Sequence, residues 1–321
     1  MTRRSLLLAA KLACSALLLW LVLAKVEVGG ITAHLRQTDP RWLLAALALG
    51  PVVIVLSAWR WRILSLGLLG FGEAVRYTWI GLFFGTILPG VIGGDLAKGV
   101  SLAAKQRRSR DPRLPVSIMV DKVIGFWVLL LQFGLAAFVL LALQPQMISH
   151  LANALWFAGL ATFAGLSAGG MLWHPRGVAW LQPLAGRLPG ALRRLAGQAL
   201  AAVASYGGQG RVLRSAILLS AAIHGLNAVC LWLVMKALAI PAGFWFAAGF
   251  YPLLSVLLAL PLSVSGIGVR DVFAASMFTV FGLRPDSGVA FSWLLLGLSV
   301  PTALVGGCIQ LWEMFHRGST D

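Results

Sequence analysis

Two stretches of otherwise apolar sequence carry the residue types best suited to chemistry. The first reads Leu88-Pro89-Gly90-Val91-Ile92-Gly93-Gly94-Asp95, with Lys98 three residues further on. The second reads Leu260-Pro261-Leu262-Ser263-Val264-Ser265-Gly266-Ile267-Gly268-Val269-Arg270-Asp271. Each places a cation beside a carboxylate just after a glycine-rich break. A guanidinium forks onto phosphate oxygens, and the start of a helix offers N–H groups with no partner of their own. Lys98, Arg270 and the half-helix N-termini therefore suit an anionic headgroup, with Asp95 and Asp271 orienting the cations. Lys98 shares a helical face with Asp95. Simpler roles stand beside this one. Asp95 can cap a helix start, and an Arg270–Asp95 or Arg270–Asp271 ion pair can lock the two segments together.

Three further groups could take part. Arg60 and Arg62 close an apolar run in Ser57-Ala58-Trp59-Arg60-Trp61-Arg62. Tryptophan beside arginine at a helix end marks an interfacial anchor, and headgroup capture at the cytoplasmic mouth is the sharper alternative. Asp121-Lys122 enters another apolar run one turn past Pro115. Asp121 could couple to protons or balance Arg62 or Lys98. His224 and Asn227 share a face in a third run, as a proton-relay candidate or as helix–helix hydrogen-bonding groups. Cys14, Cys230 and Cys308 lie in apolar runs without ligand spacing. No zinc spacing, Walker loop, nucleophile elbow or dinucleotide fingerprint is present, so neither a metal nor a cofactor is expected. Gly266-Ile267-Gly268 lacks the strand–turn–helix context of a nucleotide site.

The elements that must hold these residues are membrane helices. Of 321 residues, 59% are hydrophobic and 11% charged, against roughly 25% charged in soluble domains. The expected class is an all-α, polytopic helical membrane protein. The long runs do not alternate as barrel strands would, and no hydrophilic block is long enough to form a soluble catalytic domain. A net charge of +16 fits the positive-inside rule and contact with anionic headgroups rather than nucleic acid. Six runs, at 5–28, 41–64, 115–143, 151–173, 212–240 and 287–313, are long enough to cross a bilayer. The first reads as an uncleaved helix after Arg3 and Arg4.

Lys and Arg cluster on one side of this arrangement, as at Lys105, Arg107, Arg108, Arg110 and Arg113. That predicts cytoplasmic N- and C-termini. Parity then makes 76–104 a hairpin entering from the cytoplasm and 243–283 one entering from outside. The second could instead be two tilted crossings. Broken helices carrying charge at membrane depth must pack in protein or line a wet cavity. Two of them with opposite entry suggest inverted repeats, about 41–143 and 212–313, in one integral membrane domain spanning 1–321, with sites where the tips meet. Residues 174–211 between the halves, with Arg187, Arg193 and Arg194 among Leu and Ala, fit a basic amphipathic segment on the cytoplasmic leaflet or a plain linker.

Trp59-Arg60-Trp61-Arg62, Pro89 through Asp95 with Lys98, Asp121-Lys122 with Gly125, and Pro261 through Asp271 occur in an order that resembles the lysylphosphatidylglycerol synthase transmembrane family, whose members are flippase-like. The resemblance covers nearly the whole chain, and it implies lipid handling in the bacterial inner membrane. In two-part members the membrane module is thought to move an aminoacylated lipid that a soluble domain makes. This sequence looks like a stand-alone member without that soluble part, and it has Lys98 where the family often has Arg. Phospholipids, polyprenyl-phosphate-linked sugars and hopanoids are the cargo such relatives suggest. The expected function is a lipid translocase rather than an enzyme. Its site would comprise Arg60, Arg62, Gly93, Gly94, Asp95, Lys98, Asp121, Lys122, Gly266, Gly268, Arg270 and Asp271. Expected partners are the lipid substrate and anionic headgroups, with a homo-oligomer or lipid-modifying enzymes as further candidates. Two rivals remain. One is an integral-membrane glycosyl- or acyl-transferase using a lipid-linked donor, with Asp95, Asp121 or Asp271 as base. The other is a non-transporting scaffold for lipid-modifying enzymes.

Overall fold

The structure, a computed structural model, describes residues 20, 28–87, 94, 99, 113–143, 159–160, 162, 165, 177–260, 263 and 265–317. Among them the regular elements are all helices: α1 (Val28–Arg36), α2 (Pro40–Leu64), α3 (Phe71–Ile87), α4 (Arg113–Leu143), α5 (Gly177–Gly186), α6 (Gly190–Ala204), α7 (Gly210–Ala237), α8 (Phe244–Ala259), α9 (Val269–Val280) and α10 (Pro285–Arg317). Four stretches are long and apolar enough to cross a membrane: Pro40–Leu64, Leu114–Leu143, Gly210–Ala237 and Pro285–Phe315, with mean hydropathies of 2.2, 2.4, 2.0 and 1.8. The chain is a multi-pass helical membrane protein. The expected spans 5–28 and 151–173 fall almost wholly outside the described residues.

The chain divides into two compact units. The first takes the described parts of Met1–Ile54, Val75–Ser101 and Leu226–Asp321; the second takes those of Val55–Ala74 and Leu102–Gly225.

In the first unit, α8, α9 and α10 pack around a phenylalanine cluster. Phe250 lies 5.5 Å from Phe291 and 6.1 Å from Phe278, ring centre to ring centre, and Phe246 lies 5.6 Å from Phe278. Most of these pairs are edge-to-face, the geometry that a ring quadrupole favours. Hydrocarbon tails are as apolar as these side chains, so close packing rather than water exclusion holds such helices together in a bilayer. α3 joins by a close backbone approach to α10. A Cβ at Gly306 would strike the carbonyl of Trp79, and one at Gly307 would meet the Phe83 ring.

α8 and α9 are two arms of one interrupted helix. With 16 and 12 residues they reach about 24 Å and 18 Å, each short of the roughly 30 Å hydrocarbon core. Leu260, at the end of α8, is extended with φ −74° and ψ 131°, as a residue before proline must be. Just before α9, Ser265 at φ 52°, Gly266 at φ 75° and Gly268 at φ 81° are left-handed. The Gly266 position admits glycine alone on two counts. Its φ is left-handed, and a Cβ would collide with the Leu258 side chain.

The second unit packs Leu64, Val120, Ile124, Val128, Tyr206 and Ala216 into its own core. The segment expected as a basic amphipathic stretch or a plain linker holds two helices, α5 and α6, separated near Leu188-Pro189. Arg187, Arg193 and Arg194 are exposed.

Candidate functional site

The break between α8 and α9 builds a site from its own geometry. α9 begins at Val269 with no side chain at its cap position, Gly268. The Asp271 carboxylate supplies the acceptor instead, taking the Gly268 N–H at 3.0 Å. Its other oxygen accepts the Ser292 hydroxyl proton at 2.5 Å, and the Ser292 oxygen in turn accepts from Arg270 Nε at 2.8 Å. Arg270, Ser292 and Asp271 thus form a chain from cation to carboxylate, all buried, at 6%, 0% and 2% exposure. A carboxylate this deep is tolerable because it holds a backbone N–H, a hydroxyl and a nearby counter-charge.

Among the described residues, the only side-chain hydrogen bond of Arg270 is the one from Nε. The guanidinium lines a cavity of about 230 Å³. Thr86, Ser263, Ser265 and Ser299 supply the polar part of its wall, and Leu257, Leu258 and Leu296 the apolar part. The Ser265 hydroxyl donates to the carbonyl of Thr86, one of the last four of α3, which have no partner within their own helix. The tip of the second broken segment is therefore fastened to the end of α3. On α3, Gly85 also lines the cavity. Gly94 packs there too, where a Cβ would meet the Gly81 carbonyl oxygen at 2.5 Å. Ser299 stands beside the midpoint of the span Pro285–Phe315, so the cavity lies at mid-depth along that helix. An arginine among hydroxyls and leucines at that depth has the chemistry to receive a phosphate or carboxylate whose remainder is apolar, or to lock α9 against α10 through Ser292 and Asp271.

A second charged cluster sits in the other unit and is closed. Arg60 Nε and Nη2 donate to the two oxygens of Asp121 at 2.7 and 3.0 Å, and Nη1 donates to Ser220 Oγ at 2.8 Å. Ser220 passes its own proton to the Ala216 carbonyl at 2.8 Å. Gly125 gives the guanidinium room: a Cβ there would come to 3.3 Å from Nη1. His224 Nε2 donates to the Gly125 carbonyl at 2.9 Å. Trp61 donates to Ser117 Oγ at 3.1 Å, and the Tyr206 hydroxyl donates to the Leu64 carbonyl. Burial, with the Asp121 charge second, pushes the Tyr206 phenol up to about 12, so it remains a donor at neutral pH.

The profile described as the lysylphosphatidylglycerol synthase TM region matches residues 8–306. The chain belongs to that family. Comparison with curated proteins and with solved structures returns no match.

In this family member the expected site residues separate into several groups. Gly266 and Arg270 line the cavity, Gly268 and Asp271 belong to the hydrogen-bond chain that holds the start of α9, and Gly94 packs against α3. Gly93, Asp95 and Lys98 lie outside the described residues. Arg60 and Asp121 pair with each other in the second unit, so Arg60 is a counter-charge of Asp121. Arg62 and Lys122 are exposed. His224 makes a helix–helix hydrogen bond, whereas Asn227 lines a separate apolar cavity in the first unit. Sequence reasoning passed over Ser263, Ser265, Ser292, Ser299 and Thr86. It also passed over Glu313, which pairs with Arg76 at 2.8 Å. Single hydroxyls in long apolar runs were the available signal for the first five, since a lone serine in hydrocarbon needs a partner.

Proposed function

We propose that this protein moves an anionic lipid between the leaflets of a bacterial inner membrane, with Arg270 receiving the headgroup. The observation that carries this reading is the buried Arg270 at the mid-depth cavity, tied through Ser292 to Asp271. The family supports lipid handling in general terms. The choice of an anionic headgroup rests on the charge of Arg270 and the hydroxyl wall around it. Inverted repeats would let the two broken segments exchange exposure from one leaflet to the other. Arg60 and Asp121 brace the second unit in this scheme and do not touch cargo.

The test is translocation of a fluorescent anionic phospholipid in vesicles containing purified protein. Arg270→Gln keeps the Nε-side shape roughly and removes the charge. It is expected to lower the rate at least tenfold in protein that keeps the wild-type elution profile, with a lower melting temperature because buried Asp271 loses its counter-charge. A folded Arg270→Gln protein with the wild-type rate would overturn the proposal.

A further inference from the structure

The first unit holds a second cavity of about 240 Å³, and its walls differ from those of the first. One face of α2 lines it through Ala46, Gly50 and Val53, α7 through Cys230 and Leu231, and α10 through Leu298. The two cavities are neighbours along two helices. On α3, Leu82 lines the apolar one while Gly85 and Thr86, a turn later, line the one with Arg270. On α10, Leu296 faces the Arg270 cavity, Leu295 and Leu298 face the apolar one, and Ser299 lines both.

The junction is small and electrically quiet. Ser299 donates its hydroxyl to the Leu296 carbonyl of its own helix at 2.7 Å, so it sets no unsatisfied polar group in the way. The apolar cavity has room for roughly eight water-sized groups, which matches a short stretch of one hydrocarbon chain.

We infer that the apolar cavity between α2, α7 and α10 holds a segment of one apolar chain of the same lipid whose headgroup sits at Arg270, the chain passing Ser299. This deepens the proposed function and rests on it. The cavity would set the register of the lipid rather than its affinity. Lipid tails in the bilayer are already in apolar surroundings, so moving a chain segment into protein gains little. A second chain would stay in the membrane. Single-chain anionic amphiphiles should therefore be accepted as readily as two-chain ones.

The test uses the full-length protein in vesicles with an anionic phospholipid carrying a diazirine in mid-chain. Photolysis followed by peptide mass spectrometry should place adducts on the α2 stretch 46–53 and on Cys230 to Leu231. A single-chain phosphate amphiphile should compete them away within about threefold of the concentration that the two-chain lipid needs. Ala46→Leu, which narrows the far wall of the apolar cavity and does not line the one with Arg270, should reduce those adducts at least fivefold while leaving headgroup-dependent binding intact. Val53→Phe, which fills the apolar cavity from α2, should reduce them as well if Ala46→Leu fails to fold. Adducts confined to outward residues such as Leu135, Phe138 and Leu304 in a protein whose binding still depends on Arg270 would overturn this inference and leave the proposed function standing. Binding indifferent to Arg270→Gln would instead remove the proposed function itself.

Discussion

Removing either partner of the Arg60–Asp121 pair should unfold the protein long before it alters transport. Arg60 and Asp121 are 8% and 6% exposed. Two hydrogen bonds at 2.7 and 3.0 Å hold the fork to both carboxylate oxygens. Asp121→Leu leaves the guanidinium buried with Ser220 as its side-chain partner among the described residues. Breaking a buried pair from one side costs about 3–5 kcal/mol, or roughly 10²- to 10⁴-fold in the folding equilibrium. Arg60→Met strands the carboxylate and should cost a similar amount. The double variant Arg60→Met/Asp121→Leu removes both charges. Ser220 keeps its bond to the Ala216 carbonyl, so its hydroxyl is still satisfied after the exchange. Its stability should return to within about 1 kcal/mol of wild type or exceed it. Reversible unfolding in mixed micelles measures the three differences, and the coupling between the two positions should be about 3–5 kcal/mol. Lipid translocation by the double variant should remain at the wild-type level per folded molecule. Single variants as stable as wild type would refute the bracing role. So would a folded double variant that no longer translocates.

Other expectations follow from the same geometry. Gly266→Ala meets both a left-handed φ and the Leu258 side chain, and should lower stability by about 1–3 kcal/mol, read as a fall in melting temperature in detergent. Asp271→Asn weakens the carboxylate that holds both the Gly268 N–H and Ser292. It should cost about 1–3 kcal/mol in the same measurement, and in vesicles it should slow translocation further by loosening Arg270. Phe250→Ala opens the ring cluster under α9 and should cost about 3–5 kcal/mol in an unfolding titration. Trp59→Ala, on an exposed position of α2, should change stability by no more than about 0.5 kcal/mol.

The class and the break were legible in the residues. Pro261, Gly266 and Gly268 inside an apolar run mark where a helix cannot continue, and α8 stops just before them. Arg270 stood out because charge is costly at that depth. The pairing of the other charges was not legible. In Trp59-Arg60-Trp61-Arg62 the residues alternate by type, but a helix sorts them by angle. Arg60, Trp61 and Leu64 turn inward while Trp59 and Arg62 turn out. Which arginine would meet Asp121, sixty-one positions away, depends on how α2 and α4 pack. That is set by close-packed contacts such as Gly125 against Arg60, which no local pattern encodes. Ser292 was hidden for the same reason. Its role between Arg270 and Asp271 arises only when α10 lies against α9. The phenylalanines show the reverse case: they read as ordinary membrane composition, and only their convergence makes them a frame.

Native mass spectrometry of the gently solubilised protein addresses the Arg270 headgroup site most directly. Wild type should retain an anionic lipid that survives mild activation, and Arg270→Gln should lose it while keeping its other adducts. Equal retention by both proteins, or retention of only zwitterionic lipid by the wild type, would contradict an anionic headgroup at Arg270.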